Sequence, residues 1–397
     1  MCKVSHQILL IALESIDNVG DEILRATTEF ILRSSFADDI DIQVAQLKPT
    51  RKNITWKYKV YWNISAVIRK ISWHLGLEKF YKLRNLSYII AYRKYYEDLI
   101  KATDFIILPV GMLKYSTQDF GYLFHLINKL ATKYGKPVLM SAMSPQRADH
   151  KDWRYHQLVE AVNMPSVKMI TTRDGQQGVD IIRNDYLKRE IFCDYVGDPA
   201  LWIPECYHIE QKRNRNIAKI PYVGINIIRE GIFDDYNKSI TGKEMFQLYV
   251  QLIKLVDAKG WKWSVFTNGM ASDWQVLKKL QQTIGFSDEH IIEQYTSAKD
   301  YVEKVSHFDV VFGARLHACI TSVAIGVPVV GFVWENKLKF FSETMGISQF
   351  FFNPKEMTAE KIVKKLEEVL LFDLDLVNRD NYKQKTLESI KKFVALS

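Results

Sequence analysis

Short apolar segments alternate with longer amphipathic segments along almost the whole chain of 397 residues. In the first half, the predicted strands are HQILLIAL (6–13), IDIQVAQL (40–47), TDFIILPVG (103–111), KPVLMSAM (136–143) and VKMITTR (167–173). In the second half, they are YVGINII (222–228), WKWSVFTNG (261–269), HIIEQY (290–295), DVVFGA (309–314) and a last run ending near Phe332. Because parallel strands are joined by helical crossovers, this alternation predicts an α/β fold built on doubly wound parallel sheets.

A polar and charged segment, residues 203–222, divides the two halves and is bracketed by Pro204 and Pro221, as a linker would be. The expected architecture is two Rossmann-like domains facing a cleft, with C-terminal helices. The predicted parts are an N-terminal Rossmann-like domain (1–205) with a basic and aromatic helical insertion (about 51–97), a C-terminal Rossmann-like domain (218–355) and a helical tail (356–397).

The composition, 47% hydrophobic and 25% charged, is ordinary for a soluble globular enzyme. The four cysteines are widely scattered and show no metal-binding spacing, which predicts a reducing, cytoplasmic compartment. The N-terminal apolar run is too short for a signal peptide, and no segment approaches the ~18 apolar residues of a membrane span. No HExxH, CxxC or P-loop pattern occurs, so we expect neither a metal site nor a nucleotide P-loop.

The segment 51–94 is rich in lysine and arginine and nearly empty of acidic residues. Aromatic residues are interleaved with these charges: Trp56, Tyr58, Trp62, Trp73, Phe80, Tyr81 and Tyr92. Basic and aromatic groups together suit peripheral contact with an anionic membrane at the inner face. A pair of helices with solvated lysines and buried rings explains the same pattern. No recognised nucleic-acid-binding motif accompanies the charge, so no nucleic-acid partner is expected.

The stretch FGARLHACITSVAIGVPVVGF (312–332) places Arg315 and His317 where a strand ends and a helix begins. Free N–H groups at a helix N-terminus favour an anion, and the planar fork of an arginine suits carboxylate or phosphate. An anion nearby favours the protonated form of a histidine. The pattern therefore predicts an anion site with a proton donor, whereas a surface arginine beside a capping or core histidine is the alternative.

Other candidate binding residues also follow predicted strands, where ligands bind in open α/β sheets. They are Arg173, Asn18, Gly20, Asp21, Gly111, Asn268, Glu335 and Lys337. Each has a structural alternative: a turn, a helix cap, an ion pair or a solvated loop charge. Asp174 is expected to be the N-cap of the helix after Arg173, with its carboxylate accepting the first free N–H groups.

These motifs, in this order, resemble the polysaccharide pyruvyl transferase family. FDVVFGARLHACITSVAIGVPVVGFVWENKLKFFSETMGI (308–347) resembles the C-terminal signature of the family, in which Arg-x-His follows a strand and a helix ends in Gly-x-Pro. DNVGDEIL (17–24) is similar to its Asn-x-Gly-Asp loop. ATDFIILPVGML (102–113), ITTRDGQQG (170–178) and YVGDPAL (195–201) resemble its central strand, Arg-Asp segment and following aspartate.

The resemblance implies a GT-B-like fold and transfer of a pyruvyl ketal from phosphoenolpyruvate to two hydroxyls of a sugar, free or lipid-linked, with no further cofactor. By resemblance, Arg315 and Arg173 bind the two anionic groups of the donor, and His317 contacts its phosphate or protonates its methylene carbon. The chain departs from the family on the acceptor side. SAMSPQ (141–146) stands where the family has Gln-Gly-x-Gly-Pro, and Val110-Gly111 stands where it has two or three glycines.

Two other functions fit parts of the pattern. A nucleotide-sugar glycosyltransferase of the same architecture also binds its donor in a basic C-terminal domain, but commonly carries a glutamate on the helix before Gly-x-Pro. That helix here, ACITSVAIG, has no acid. A non-catalytic basic protein that binds acidic glycans or lipids is the second alternative, and it predicts that Arg315 and His317 are dispensable.

Overall fold

The computed structural model describes residues 6–13, 18–36, 40–49, 56–74, 81–116, 120–212, 220–235, 240–373 and 376–396. The chain divides into two compact units. Unit 1 comprises residues 1–14, 29–196 and 385–397, and unit 2 comprises residues 15–28 and 197–384. In the part of the chain described, no helix has both the length and the apolar character needed to cross a membrane.

Unit 1 contains a six-stranded parallel sheet with the strand order β2-β1-β3-β4-β5-β6. The strands are β1 (His6–Ala12), β2 (Ile40–Gln46), β3 (Phe105–Leu108), β4 (Val138–Met143), β5 (Val167–Thr172) and β6 (Phe192–Tyr195). The central strands β3 and β4 are buried at every position, which is why they read as continuous apolar runs rather than as alternating ones.

The helices of the first half follow these strands. They are α1 (Val19–Phe36), α2 (Trp56–His74), α3 (Tyr81–Lys101), α4 (Phe120–Lys133), α5 (Trp153–Val162) and α6 (Gly175–Ile181), which continues as a π-helical turn (Ile182–Tyr186). Helix α1 begins in unit 2 and ends in unit 1. Helices α2 and α3 form the predicted helical insertion between β2 and β3.

Unit 2 contains a five-stranded parallel sheet with the order β11-β10-β9-β7-β8. The strands are β7 (Tyr222–Asn226), β8 (Lys262–Phe266), β9 (Val310–Gly313), β10 (Val329–Phe332) and β11 (Phe351–Phe352). Because β9 lies between β7 and β10, the residues that follow these three strands lie side by side at one edge of the sheet.

The helices of the second half are α7 (Ile203–Tyr207), α8 (Ile232–Asp235), α9 (Gly242–Ala258), α10 (Ala271–Ile284), α11 (Ala298–Ser306), α12 (Leu316–Ala324), α13 (Asn336–Thr344), α14 (Ala359–Leu370) and α15 (Leu376–Leu396). Local sequence sets several of their ends. Thr241 and Glu244 form a capping box at the start of α9, and Gly285 ends α10 in the left-handed conformation.

Two local predictions are wrong. HIIEQY (290–295) is not a strand: its only sheet contact in the described chain is a single bridge between Ile291 and Val265, after a 3₁₀ turn (Asp288–His290). The first residues of predicted linker 203–222 form helix α7, in which Ile203 and Pro204 are buried, whereas its residues 213–219 lie outside the described residues. The apolar residues of α7 pack into the hydrophobic core of unit 2, so composition alone mistook a packed helix for a linker.

Candidate functional site

The backbone at the junction of β9 and α12 is held by a neighbouring strand. Arg315 is the N-cap residue of α12, in an extended conformation. Its N–H donates to Oδ1 of Asn226, the last residue of β7, at 2.9 Å. Asn226 is fully buried. The position that the sequence predicts for Arg315, at the end of a strand and the start of a helix, is the one observed.

The side chain of Arg315 forms an ion pair with Asp273, in the first turn of α10. Nε donates to one carboxylate oxygen at 3.0 Å and Nη2 to the other at 2.6 Å. Asp273 is fully buried and also accepts a hydrogen bond from the N–H of Arg229 at 2.9 Å. This carboxylate occupies the Nε–Nη2 edge of the guanidinium, and Nη1 is the nitrogen that has no partner among the described residues.

The loop at the start of α1 belongs to the same unit as Arg315 and is anchored there. Asn18 accepts a hydrogen bond from the N–H of Gly20 at 3.3 Å, and its amide donates to Asp21 at 3.2 Å. The N–H of Val19 donates to the carbonyl of Asn268 at 3.1 Å and lies 3.0 Å from the hydroxyl of Tyr295. Asn18 and Asp21 thus build the helix start, and the loop is fastened to the segment that follows β8.

Gly20 brings this loop directly against His317, in the first turn of α12. A Cβ atom built on Gly20 falls 2.0 Å from Nδ1 and 2.5 Å from Cγ of the His317 imidazole. Any side chain at position 20 therefore collides with the ring. A glycine is required here for close approach rather than for an unusual backbone angle, and the loop and the histidine form one site.

A buried polar network supports the junction from the side of β8. Oδ1 of Asn268 accepts from the amide of Asn226 at 3.0 Å and from the hydroxyl of Tyr301 at 3.3 Å. Its carbonyl accepts from Val19 and from the hydroxyl of Tyr295. Asn268 therefore links the N-terminal loop to the residue that holds the backbone of Arg315.

The segment after β10 contacts the β9–α12 junction on the side opposite β8. Nε1 of Trp334 donates to the carbonyl of Ala314 at 2.7 Å, next to Arg315 in the chain. Glu335 and Lys337 form an ion pair at 2.7 Å, and the Lys337 ammonium lies 5.4 Å from the centre of the Trp334 ring. The structure thus brings Glu335 and Lys337 to the neighbourhood of Arg315 through Trp334, and it pairs them with each other.

The remaining candidates lie in unit 1. Arg173 is buried, and its Nη2 donates to the carbonyl of Gly111 at 3.1 Å, where Gly111 has a positive φ of 67°. The predicted cap is wrong in its chemistry: Asp174 occupies the N-cap position of α6, but its side chain makes no cap hydrogen bond. Its carboxylate instead accepts from the hydroxyl of Ser144 at 2.6 Å, across to the end of β4.

The segment SAMSPQ (141–146), which begins within β4, has an unusual backbone conformation. Ala142 is fully buried and has a positive φ of 52°, a conformation that costs a residue with a Cβ roughly 1–2 kcal/mol. Its N–H donates to the hydroxyl of Thr171 at 2.9 Å, and the pairing of β4 with β5 shifts register between Met140 and Met143. An alanine thus stands in a backbone conformation that suits glycine, in the segment SAMSPQ.

Sequence reasoning missed Asp273, Asn226 and Tyr301, each of which positions a predicted residue. The sequence does contain a signal for Asp273. This residue is an acid at the start of the helix that follows β8, and Arg315, a possible partner for an acid, follows β9 in the same sheet. Within the described residues, no three His, Cys, Asp or Glu side chains form a group that could hold a metal ion.

The model of the family described as polysaccharide pyruvyl transferase matches residues 18–336, which include both the N-terminal loop and the β9–α12 junction. The chain belongs to this family. The resemblance seen in the sequence is therefore confirmed, and the matched region of this polysaccharide pyruvyl transferase family member includes Gly20, Arg315 and His317. No curated protein sequence matches the chain.

Solved structures show the fold of this pyruvyl transferase family member. UDP-GlcNAc 2-epimerase from Methanocaldococcus jannaschii aligns with a TM-score of 0.56 at 11% identity, over 98% of this chain and 99% of that one. The S. aureus MnaA–UDP co-structure aligns with a TM-score of 0.54 at 12% identity, over 99% and 98%. Anabaena Alr3699/HepE in complex with UDP aligns with a TM-score of 0.51 at 9% identity, over 98% of this chain and 100% of that one. The predicted α/β, GT-B-like fold class is confirmed.

Proposed function

We propose that this protein transfers a pyruvyl group from phosphoenolpyruvate to two hydroxyls of a sugar, as a ketal, in a cell-surface polysaccharide or its lipid-linked precursor. Membership of the family supports the transferase class. The observation that carries the proposal is the contact between the Gly20 backbone and the His317 ring beside Arg315. Two family motifs from opposite ends of the matched region meet there at a helix N-terminus.

In this proposal the donor lies at the start of α12, where free N–H groups favour an anion. Asp273 balances the charge of Arg315, and its two hydrogen bonds hold the guanidinium in one orientation. Because that pair is close to neutral, a protonated His317 would add positive charge beside a donor that has two anionic groups, a phosphate and a carboxylate. Arg173, Gly111, Asn268, Glu335 and Lys337 remain predicted substrate-binding residues, as do Asn18, Gly20 and Asp21.

The chemistry assigned to His317 is proton delivery. A proton moves from the imidazole to the methylene carbon of phosphoenolpyruvate, and the adjacent carbon becomes an oxocarbenium-like centre that a sugar hydroxyl attacks. That hydroxyl loses its proton, the C–O bond to phosphate then breaks, and phosphate leaves with the bonding electron pair. The second hydroxyl closes the ring and loses its proton. One hydroxyl proton balances the new methyl group, and the other leaves with inorganic phosphate or solvent.

The test is phosphate release by the purified full chain from phosphoenolpyruvate, with a panel of lipid-linked and nitrophenyl sugars as acceptors. We expect His317→Ala to lower turnover by ~10²–10⁴-fold, the usual contribution of a placed acid or base. His307→Ala is the matched control, because His307 is an exposed histidine in the same unit. Equal turnover in the wild type and the His317→Ala variant would show that His317 does not deliver the proton.

A thermal-shift comparison separates the proposal from the nucleotide-sugar alternative. A ligand that binds only the folded state raises the apparent melting temperature. We expect phosphoenolpyruvate to raise it in the wild type and to have a smaller effect in Arg315→Ala. If UDP-sugars raise it and phosphoenolpyruvate does not, the donor assignment is wrong.

A further inference from the structure

Helix α2 exposes a continuous apolar stripe. The stripe consists of Trp56, Val60, Ile64, Val67 and Ile71; Trp56 is 82% exposed and the other four between 46% and 61%. Their spacing of four, four, three and four residues places them within about 80° of one another on a helix with 3.6 residues per turn. Scattered exposed apolar residues need no explanation, whereas an aligned row along an entire helix does.

The opposite face of α2 is the one that holds the helix to its unit. The hydroxyl of Tyr58 donates to Asp98 of α3 at 2.6 Å, and the Trp62 ring packs edge-on against Tyr92 with centroids 5.7 Å apart. Ser65 on this face is fully buried. The contacts that attach helix α2 to unit 1 therefore do not involve the apolar stripe, and none of its five side chains belongs to the described core of unit 1.

The distribution of charge around the stripe indicates the kind of partner that could bind it. Residues 51–94 contain 11 of the 54 lysines and arginines of the chain but one of its 46 acidic residues, so the rest of the chain carries 43 basic against 45 acidic residues. The whole positive balance of the protein thus belongs to this insertion. Helix α2 itself contains no acidic residue, and the exposed Lys59 and Lys70 border one edge of the stripe.

We propose that α2 binds an anionic membrane, lying in the plane of the interface with the apolar stripe among the acyl chains and the lysines at the head groups. In-plane helices have this division, with a basic polar face and Trp and aliphatic residues on the other. A second copy of the chain is the poorer occupant, because pairing two such faces brings two basic rims together. The half-exposed Tyr61 and the exposed Trp56 are ring systems of the kind that lie at the lipid–water boundary.

The test is co-sedimentation of the full chain with vesicles of phosphatidylcholine alone and with vesicles of a two-to-one mixture of phosphatidylcholine and phosphatidylglycerol, at physiological salt. We expect binding to the anionic vesicles that weakens as salt is raised. Ile64→Asp/Val67→Asp should lower the partition coefficient by about tenfold or more, because two charges would replace methyl groups that lie among the acyl chains in the bound state. Lys59→Glu/Lys70→Glu should lower it by a similar factor on anionic vesicles, because reversing two charges removes electrostatic attraction.

Matched controls exist in unit 2. Leu371 and Val377 are 80% and 69% exposed, and Lys243 and Lys355 are exposed, so Leu371→Asp/Val377→Asp and Lys243→Glu/Lys355→Glu repeat the same chemical changes away from α2. Both controls should bind as the wild type does. The proposal is overturned if the wild type ignores anionic vesicles, or if the control variants lose binding as much as the α2 variants. It is also overturned if sedimentation velocity shows a dimer that Ile64→Asp/Val67→Asp dissociates while vesicle binding is unchanged.

Discussion

Replacing Gly20 by alanine tests whether the N-terminal loop acts by positioning the imidazole of His317. Gly20 is the second residue of α1, where an alanine is normally preferred over glycine by about 0.5–1 kcal/mol. The new Cβ, however, lies 2.0 Å from Nδ1, and ordinary van der Waals contacts begin at 3.4 Å, so the ring must withdraw by more than an ångström. A displacement of about 1 Å is enough to cost on the order of 10²-fold in rate.

We therefore expect Gly20→Ala to lower phosphate release by ~10²-fold or more. The free energy of unfolding should change by less than about 2 kcal/mol, because the ring can escape by rotation and the helical preference offsets part of the crowding. Gly121→Ala is the matched control. Gly121 is the second residue of α4, and its added Cβ meets nothing closer than 3.7 Å. We expect that variant to keep full activity and to be as stable as the wild type or slightly more so.

The decisive measurement is a double-mutant cycle with His317→Ala. If Gly20→Ala acts only through the imidazole, adding it to His317→Ala lowers turnover no further. Additive losses would show that the loop contributes by another route, and wild-type turnover in Gly20→Ala would refute the positional argument altogether.

Three further changes test the electrostatics and burial described above. Asp273→Asn leaves Arg315 without its counter-charge and should cost about 3 kcal/mol of unfolding free energy in chemical denaturation, the low end for a broken buried pair because Arg315 keeps some exposure. Hydrogen bonding to the hydroxyl of Tyr134 lowers the pKa of Glu97 from 4.5 to about 2, so its carboxylate stabilises the fold above pH 4.5 and loses that effect as the pH falls towards 2. The stability difference between wild type and Glu97→Gln, at most ~1 kcal/mol for a group near the protein surface, should shrink over that range, and a difference that grows on acidification would contradict the assignment. Burial raises the pKa of the Cys193 thiol to about 12, so mass spectrometry should find it unalkylated at pH 8 until the protein is unfolded.

Most of the fold could be predicted because its signals are local. A buried parallel strand such as β3 needs an unbroken apolar run, and a helix such as α9 needs a capping residue and a 3.6-residue period, so each is written within a few neighbouring positions. The prediction for 290–295 is wrong because a short apolar run is a strand only when a neighbouring strand pairs with it. In the described sheet, the pairing of this segment is limited to a single bridge between Val265 and Ile291.

The sequence by itself determined the two parallel α/β sheets, the basic insertion and the Arg-x-His junction, since hydrophobic period, charge and strand ends are properties of short segments. Only the tertiary structure decided what that junction contacts. Asp273 and Arg315 belong to different crossovers of the second sheet, and Gly20 and His317 lie near opposite ends of the region that the family model matches. No local pattern encodes such pairings, because they arise when crossover helices bring the ends of separate strands to one edge of a sheet.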